Sequence, residues 1–287
     1  MTETGQRPTE ERPILPDDRS GVLLPGNLER YAANWIAPAA EIAAVVDQFW
    51  HVSWSFPDGE STDQRIIDLP AVTVTIEEGD VPAPLVVTGV QTGAWRRTIR
   101  GRGRVFAIRL RPAGLAVISD IAPDAVRNVT LPLTSALDAR LYRLMREIAA
   151  VSTPAERARV ASETIAVRLI ERPVSEKGLL ANAILDELRA QVHRKTGTPL
   201  AQHFGVSERT VQRVLMETIG RGPKWISRRI RLQEVALALA TRSDAGLATI
   251  AAELGYADQS HLTSDFRSTA GITPAAYARS TRTITGI

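Results

Sequence analysis

The chain of 287 residues contains no cysteine, so it needs no oxidising compartment and holds no thiolate nucleophile. No apolar run approaches the ~18 residues of a membrane span, and no charged-then-apolar start resembles a signal peptide. A cytoplasmic location fits these absences. No Gly-x-x-x-x-Gly-Lys-Ser/Thr run is present to cradle nucleotide phosphates. The first 177 residues hold a single histidine, His51, which makes a multi-histidine metal site improbable and leaves His51 as a surface or hydrogen-bonded residue. No cofactor is expected.

What is present is a repeat. Ala201, Gly205, Val211, Leu215, Gly220 and Pro223 are matched by Ala251, Gly255, Leu262, Phe266, Gly271 and Pro274, at an offset of 50 residues before a turn and 51 after it. Each copy reads as a helix-turn-helix. The small residue lets the first helix approach the second, which crosses it at roughly 90–120°. The glycine four residues on can take the positive φ that ends a helix. Val206 or Tyr256 plugs the turn, and Ser207 is suited to cap the next helix. Val211 with Leu215, and Leu262 with Phe266, each form a buried i,i+4 stripe, so the residues between them must face outward. Between the copies, Pro223–Thr241 reads as a linker helix with apolar contacts on both sides, carrying Trp225, Ile230, Val235, Leu237 and Leu239.

Charge is divided in the same way. Residues 178–287 hold 14 Lys and Arg against 9 Asp and Glu, a balance of +5, whereas residues 1–177 hold 21 against 23, a balance of −2. A basic domain carried on a mildly acidic one is expected when only one part meets nucleic-acid phosphates.

The stretches Ser207–Leu215, Gly220–Trp225 and Arg228–Leu232, then Ile250–Tyr256, Ser260–Leu262, Phe266–Arg267 and Ala270–Pro274, resemble the two halves of the DNA-binding domain of AraC-type (AraC/XylS) transcription regulators. The resemblance spans about residues 180–280. It departs from the family pattern at Leu215 and Leu262, where an aromatic is frequent, and at Ser264, where an arginine is common. The resemblance implies that Arg209, Gln212 and Arg213 in the first recognition helix, and Gln259, Ser260, Thr263 and Ser264 in the second with His261 adjacent, face DNA bases. Arg267 is then a phosphate contact. Arginine can grip guanine and glutamine adenine, each discriminating by about 1–3 kcal/mol. The first helix, richer in such side chains, is expected to carry more of the specificity. Two recognition helices on one face of the duplex would read adjacent major-groove segments, about 34–36 Å or 10–10.5 base pairs apart.

The first half alternates as half-buried strands do. Trp50, Val52, Trp54 and Phe56 share a face against His51, Ser53 and Ser55; Val72, Val74 and Ile76 oppose Thr73 and Thr75; Phe106, Ile108 and Leu110 oppose Ala107, Arg109 and Arg111. Turn signals at Pro57-Asp58-Gly59, Glu78-Gly79-Asp80 and Gly101-Arg102-Gly103 suggest an antiparallel sheet or small barrel, with residues 39–48 as a preceding helix. Glu77, Glu78 and Asp80, flanking a glycine, read as solvated. Phe49-Trp50-His51, Val87-Thr88-Gly89 and Arg109–Gly114 resemble, more loosely, the cupin-like sensor domains of some AraC-type regulators.

The expected fold class is α+β, a β-rich cupin-like domain followed by an all-α domain with two helix-turn-helix motifs joined by a linker helix. Residues 1–20 read as a disordered leader, 21–172 as a sensor or dimerisation domain, 173–178 as a linker and 179–287 as the DNA-binding domain. Two amphipathic helices, residues 135–150 and Pro154–Glu171, either cover the sheet or form a dimer contact as in the family. Seven arginines fall between Arg96 and Arg111, and Arg109 with Arg111 either line a barrel and bind an anionic effector or simply face water. The chain is thus read as a sequence-specific transcription regulator and not an enzyme. Its partners are double-stranded DNA, a small-molecule effector, a second copy of itself and, by family resemblance, RNA polymerase. The alternative is a protein-interaction or architectural module whose repeated helices bind another protein.

Overall fold

The computed structural model describes residues 12–14, 18, 21–23, 30–192, 194, 198–242 and 245–285. Among the described residues, nine strands form the first half: β1 (Arg12–Pro13), β2 (Tyr31–Ile36), β3 (Val46–Ser55), β4 (Ser61–Ile66), β5 (Thr73–Gly79), β6 (Leu85–Thr88), β7 (Trp95–Arg100), β8 (Arg102–Leu110) and β9 (Thr130–Pro132). Seven of them make one sheet in the order β1-β2-β3-β8-β5-β6-β9, and β4 with β7 makes a separate ribbon. All pairings are antiparallel.

Period-2 alternation puts apolar side chains on both faces of the large sheet, and each face has its own cover. Phe106, Ile108, Leu110, Val74, Ile76 and Phe49 point to one side, where they pack against helix α1 (Gly114–Ile118) and the stripes of α2 (Ala139–Ala149) and α3 (Pro154–Glu171). Tyr31, Ala33, Val52 and Trp54 point to the other, where Ile66 and Ile99 of the β4–β7 ribbon close over them. Three layers result: ribbon, sheet and helix pair. The sheet-covering role of the two amphipathic helices follows from Leu141, Leu144, Ile148, Ala158, Ala161 and Ile165, all buried in this core.

Several local expectations need correction. Residues 39–48 hold only a short 3-10 turn, Ala40–Ile42, before β3 begins at Val46. The i,i+3,i+4 spacing of Ile42, Val45 and Val46 mimics a helix stripe, but cross-strand pairing of β3 with both β2 and β8 wins. Helix α2 starts at Ala139 rather than 135, because the Asp138 carboxylate accepts from Leu141 N at 2.8 Å and caps it. Most of the leader expected over residues 1–20 lies outside the described residues. Within it, Arg12–Pro13 pairs with Ala33 and Ala32, and Ile14 is buried.

The carboxylates are not all solvated either. Glu77 is buried between sheet and ribbon, accepting from Thr75 Oγ1 at 2.9 Å and Arg97 Nη1 at 2.7 Å. Glu78 pairs with Arg104 and Arg157, and Asp80 stays exposed at the strand end. His51 is buried rather than at the surface, opposite Phe106 in the sheet.

The second half is helical: α4 (Glu176–Gln191), α5 (Leu200–His203), α6 (Glu208–Thr218), α7 (Pro223–Thr241), α8 (Leu247–Glu253), α9 (Gln259–Ala270) and α10 (Pro274–Thr285). Half of the expected linker at 173–178, residues 176–178, is the first turn of α4. Ser175 Oγ accepts from Gly178 N at 3.1 Å and starts α4, so only residues 172–175 separate α3 from α4. Gly178 serves close approach instead of flexibility: a Cβ there would stand 3.0 Å from that of Ala113.

Candidate nucleic-acid interface

Both helix-turn-helix units form as their local signals require. Gly205 and Gly255 take φ of +63° and +72° after α5 and α8, a backbone region closed to most L-residues. Ser207 Oγ accepts from Thr210 N at 3.0 Å, and Asp258 Oδ1 accepts from His261 N at 2.8 Å, so α6 and α9 are each capped by a side chain. Val211, Leu215, Leu262 and Phe266 are fully buried. Both units join α4, α7 and α10 in one continuous core, which includes Ile226, Ile230, Leu232, Val235 and Tyr277.

Linker helix α7 fixes the second unit through polar contacts. Arg228 pairs with Asp265 and donates from Nη2 to Ser268 Oγ at 2.8 Å. The Tyr256 hydroxyl donates to Asp265 Oδ2 at 2.9 Å, and burial with the Asp265 charge pushes that hydroxyl well above its usual range. Arg231 lies over the Tyr256 ring. In the first unit, Lys177 of α4 pairs with Glu217 at the far end of α6.

Of the residues singled out from sequence, Arg209, Gln212, Arg213, Gln259, Ser260, His261, Ser264 and Arg267 are exposed, and Thr263 is half-buried. Gln259, Ser260, Thr263, Ser264 and Arg267 come together, lining one surface depression along α9 with Ser268. Ser268 was not foreseen; the one-turn spacing from Ser264 was the available signal. His261 lies outside that lining and sits edge-on to the Tyr256 ring, 5.2 Å between centroids. On α6 the Gln212 amide rests against Gly222, where a Cβ would come within 2.7 Å of it.

Arg109 and Arg111 are neither open to water nor free. Arg109 donates to Asp47 Oδ2 at 2.6 Å and Gln48 Oε1 at 2.7 Å, with its guanidinium over Trp50. Arg111 makes a two-pronged pair with Asp186 of α4, at 2.6 and 3.1 Å. Arg189 of α4 also reaches Asp47 at 3.0 Å. Burial alone would raise the Asp47 carboxyl, yet these two guanidiniums hold it below the usual carboxylate range. Asn182 completes the seam, donating to Ala44 O at 2.8 Å and accepting from Ala113 N at 3.1 Å. The sequence placed these arginines on one strand but could not show that β3 supplies the partners of Arg109 and α4 that of Arg111.

Among the described residues no helix is long and apolar enough to cross a membrane, and no cluster of His, Asp and Glu could hold a metal ion.

Comparison with known proteins agrees with the geometry of the second half. Residues 200–280 match the family model of a helix-turn-helix domain, and residues 34–132 match a domain of unknown function (DUF6597). No curated protein matches the chain. Similar solved structures include ToxT from Vibrio cholerae, with 8% identity, 81% of this chain and 98% of that chain covered, and a TM-score of 0.44. ToxT from Vibrio cholerae O395 gives 10%, 90%, 100% and 0.42. Unsaturated fatty acid-bound wild-type ToxT from strain SCE256 gives 10%, 90%, 96% and 0.38. Behind its β-rich half, the chain therefore carries a helix-turn-helix domain over residues 200–280.

Proposed function

We propose that this protein reads duplex DNA with two recognition helices at once, α6 and α9 entering successive major-groove segments. The observation that carries this reading is the matched pair of capped helices with exposed polar faces, Arg209, Gln212 and Arg213 on one and Gln259, Ser260 and Ser264 on the other, joined through α7 in a single core. A shared core fixes the spacing of the two helices, and fixed spacing is what simultaneous entry demands. Gln212 and Arg213 supply base recognition on α6, while the short side chains of α9 favour looser readout; Arg267 holds the backbone. The β-rich half senses an effector, mediates association of two copies, or both. An anionic effector that drew Arg109 and Arg111 away from Asp47 and Asp186 would loosen α4, the helix shared by both halves. Such a protein would work in the cytoplasm beside RNA polymerase, with no catalytic step of its own.

Footprinting on fragments selected from random duplexes tests this. Two protected stretches about 10 base pairs apart per bound protein are expected. One stretch alone, or salt-insensitive binding without sequence preference, would sink the reading in favour of a protein-interaction module.

A further inference from the structure

The β4–β7 ribbon carries two arginines, Arg65 on β4 and Arg96 on β7, that face each other across the strands. Like charges opposed across strands destabilise a ladder. Their neighbours on β7 are compensated: Arg97 pairs with Glu77 and Arg100 with Asp80. Among the described residues, neither Arg65 nor Arg96 has a carboxylate partner. Instead both guanidiniums converge on Gly271, the left-handed cap that ends α9; a Cβ at Gly271 would lie 3.2 Å from Arg96 Nη2 and 3.4 Å from Arg65 Nη1.

That meeting point lies on the reading face. Ser260, Ser264, Arg267 and Gly271 follow one another at helical spacing, so the glycine continues the exposed stripe of α9 beyond Arg267. From Ser260 to Gly271 the helix advances about 16 Å, more than the ~12 Å width of the major groove. With the start of α9 at the bases, its far end stands at the groove rim, beside phosphates. The ribbon is tied there: Ala94 N donates to Thr269 O at 3.0 Å, and Arg229 of α7 donates to Gly93 O at 2.7 Å.

We propose that Arg65 and Arg96 bind phosphate groups of duplex DNA at the rim of the groove occupied by α9, so that the β-rich half is itself part of the DNA-binding surface. This rests on the DNA-reading function proposed above. One consequence is that DNA affinity reports whether the two halves are docked, because the arginines reach the rim only while the ribbon sits on α9.

Binding of the full chain to a random-sequence duplex, followed by fluorescence anisotropy over a series of KCl concentrations, tests the proposal. Each lost phosphate contact reduces the slope of log K against log salt by about 0.9. R65A/R96A should therefore flatten the slope by nearly two, weaken binding equally on random and selected duplexes, and leave the melting temperature unchanged. R65K/R96K should keep most of the slope. If instead R65A/R96A lowers the melting temperature with the slope intact, the pair merely serves the C-terminal end of α9 and the proposal is overturned; an unchanged slope at unchanged stability overturns it too. R267A separates the two readings: wild type bound with a slope that R267A reduces and R65A/R96A does not leaves the DNA-reading function standing without this extension, whereas a wild type that ignores duplex DNA sinks both.

Discussion

Arg229 of α7 stands 3.2 Å from the Asp68 carboxylate, reaching out of the helical half into the loop that follows β4. The same Nη2 donates to the carbonyls of Gln91 and Gly93 at 2.5 and 2.7 Å, and the Trp225 ring lies beside the guanidinium. Next to it, Gln233 donates to Ile67 O, and Leu23, Ile67 and Val90 of the first half enter the core of the second. The halves are therefore locked by buried polar contacts as well as by apolar packing. Replacing Arg229 with Met keeps the aliphatic stem and removes every donor. The carbonyls and Asp68 would lose their partner at a cost of about 3 kcal/mol or more. Urea unfolding should then show two transitions in place of one; a single transition at the wild-type midpoint would refute the lock.

The same pair sets a pH dependence. Burial raises the Asp68 carboxyl to about 7, with Arg229 pulling the other way and losing. In the unfolded chain the group titrates near ~4. Between those values the folded protein keeps a proton that the unfolded chain has released, so stability falls as pH rises through this window and levels off above about 7. D68N should remove that slope. Denaturation midpoints of wild type and D68N across the window check it, and a wild-type stability that climbs with pH relative to D68N would contradict the assignment.

What could be read in advance was whatever chemistry is local. Gly205, Ser207 and the Val211–Leu215 stripe act within a few residues of one another, so the helix-turn-helix units are legible in a string. Pro154–Glu171 likewise declares itself through Thr153, whose hydroxyl and Glu156 cap each other. Contacts between distant segments are not legible. Glu77 looks like a turn carboxylate until β7 brings Arg97 over it, and Arg109 looks like a solvent residue until β3 supplies Asp47. Residues 39–48 fail for a related reason, since a strand pairing on both sides outweighs a short helix-like spacing.

Helix α3 buries one stripe on the sheet and leaves another bare. Val167 is 54% exposed and Ile170 84%, three residues apart on one face. If two copies associate through the first half, as proposed above, this bare face is where they would meet. I170E should shift a dimer toward monomer in sedimentation velocity without altering the melting temperature. A monomeric wild type, or an unaltered dimer in I170E, would remove α3 from consideration.

The glycines of the two turns make a controlled comparison. A Cβ at Gly205 or Gly255 would touch nothing within 4 Å, so substitution adds no clash. The φ values of +63° and +72° remain, and an L-residue held there costs about 1–2 kcal/mol. G205A and G255A should each lower stability by about 1 kcal/mol, the unfolded-chain entropy offsetting part of the strain. Equal midpoints for wild type and both variants would mean that the turns can relax.

If the proposed DNA-reading function holds, Arg213 and Arg267 separate reading from gripping. Both are exposed, Arg213 on the outer face of α6 and Arg267 in the depression along α9. A side chain that grips a base edge loses discrimination at one base pair when truncated, by about 1–3 kcal/mol. One that neutralises a phosphate loses affinity for every sequence and reduces the salt slope by about 0.9. R213A should therefore bind random DNA nearly as wild type does while its selected sites relax at one position. R267A should weaken on all duplexes alike. Selection from a randomised pool, followed by salt titration of each variant, measures both quantities at once. Equal losses on selected and random DNA for R213A would place that arginine on the backbone and leave Arg209 and Gln212 as the remaining base readers of α6.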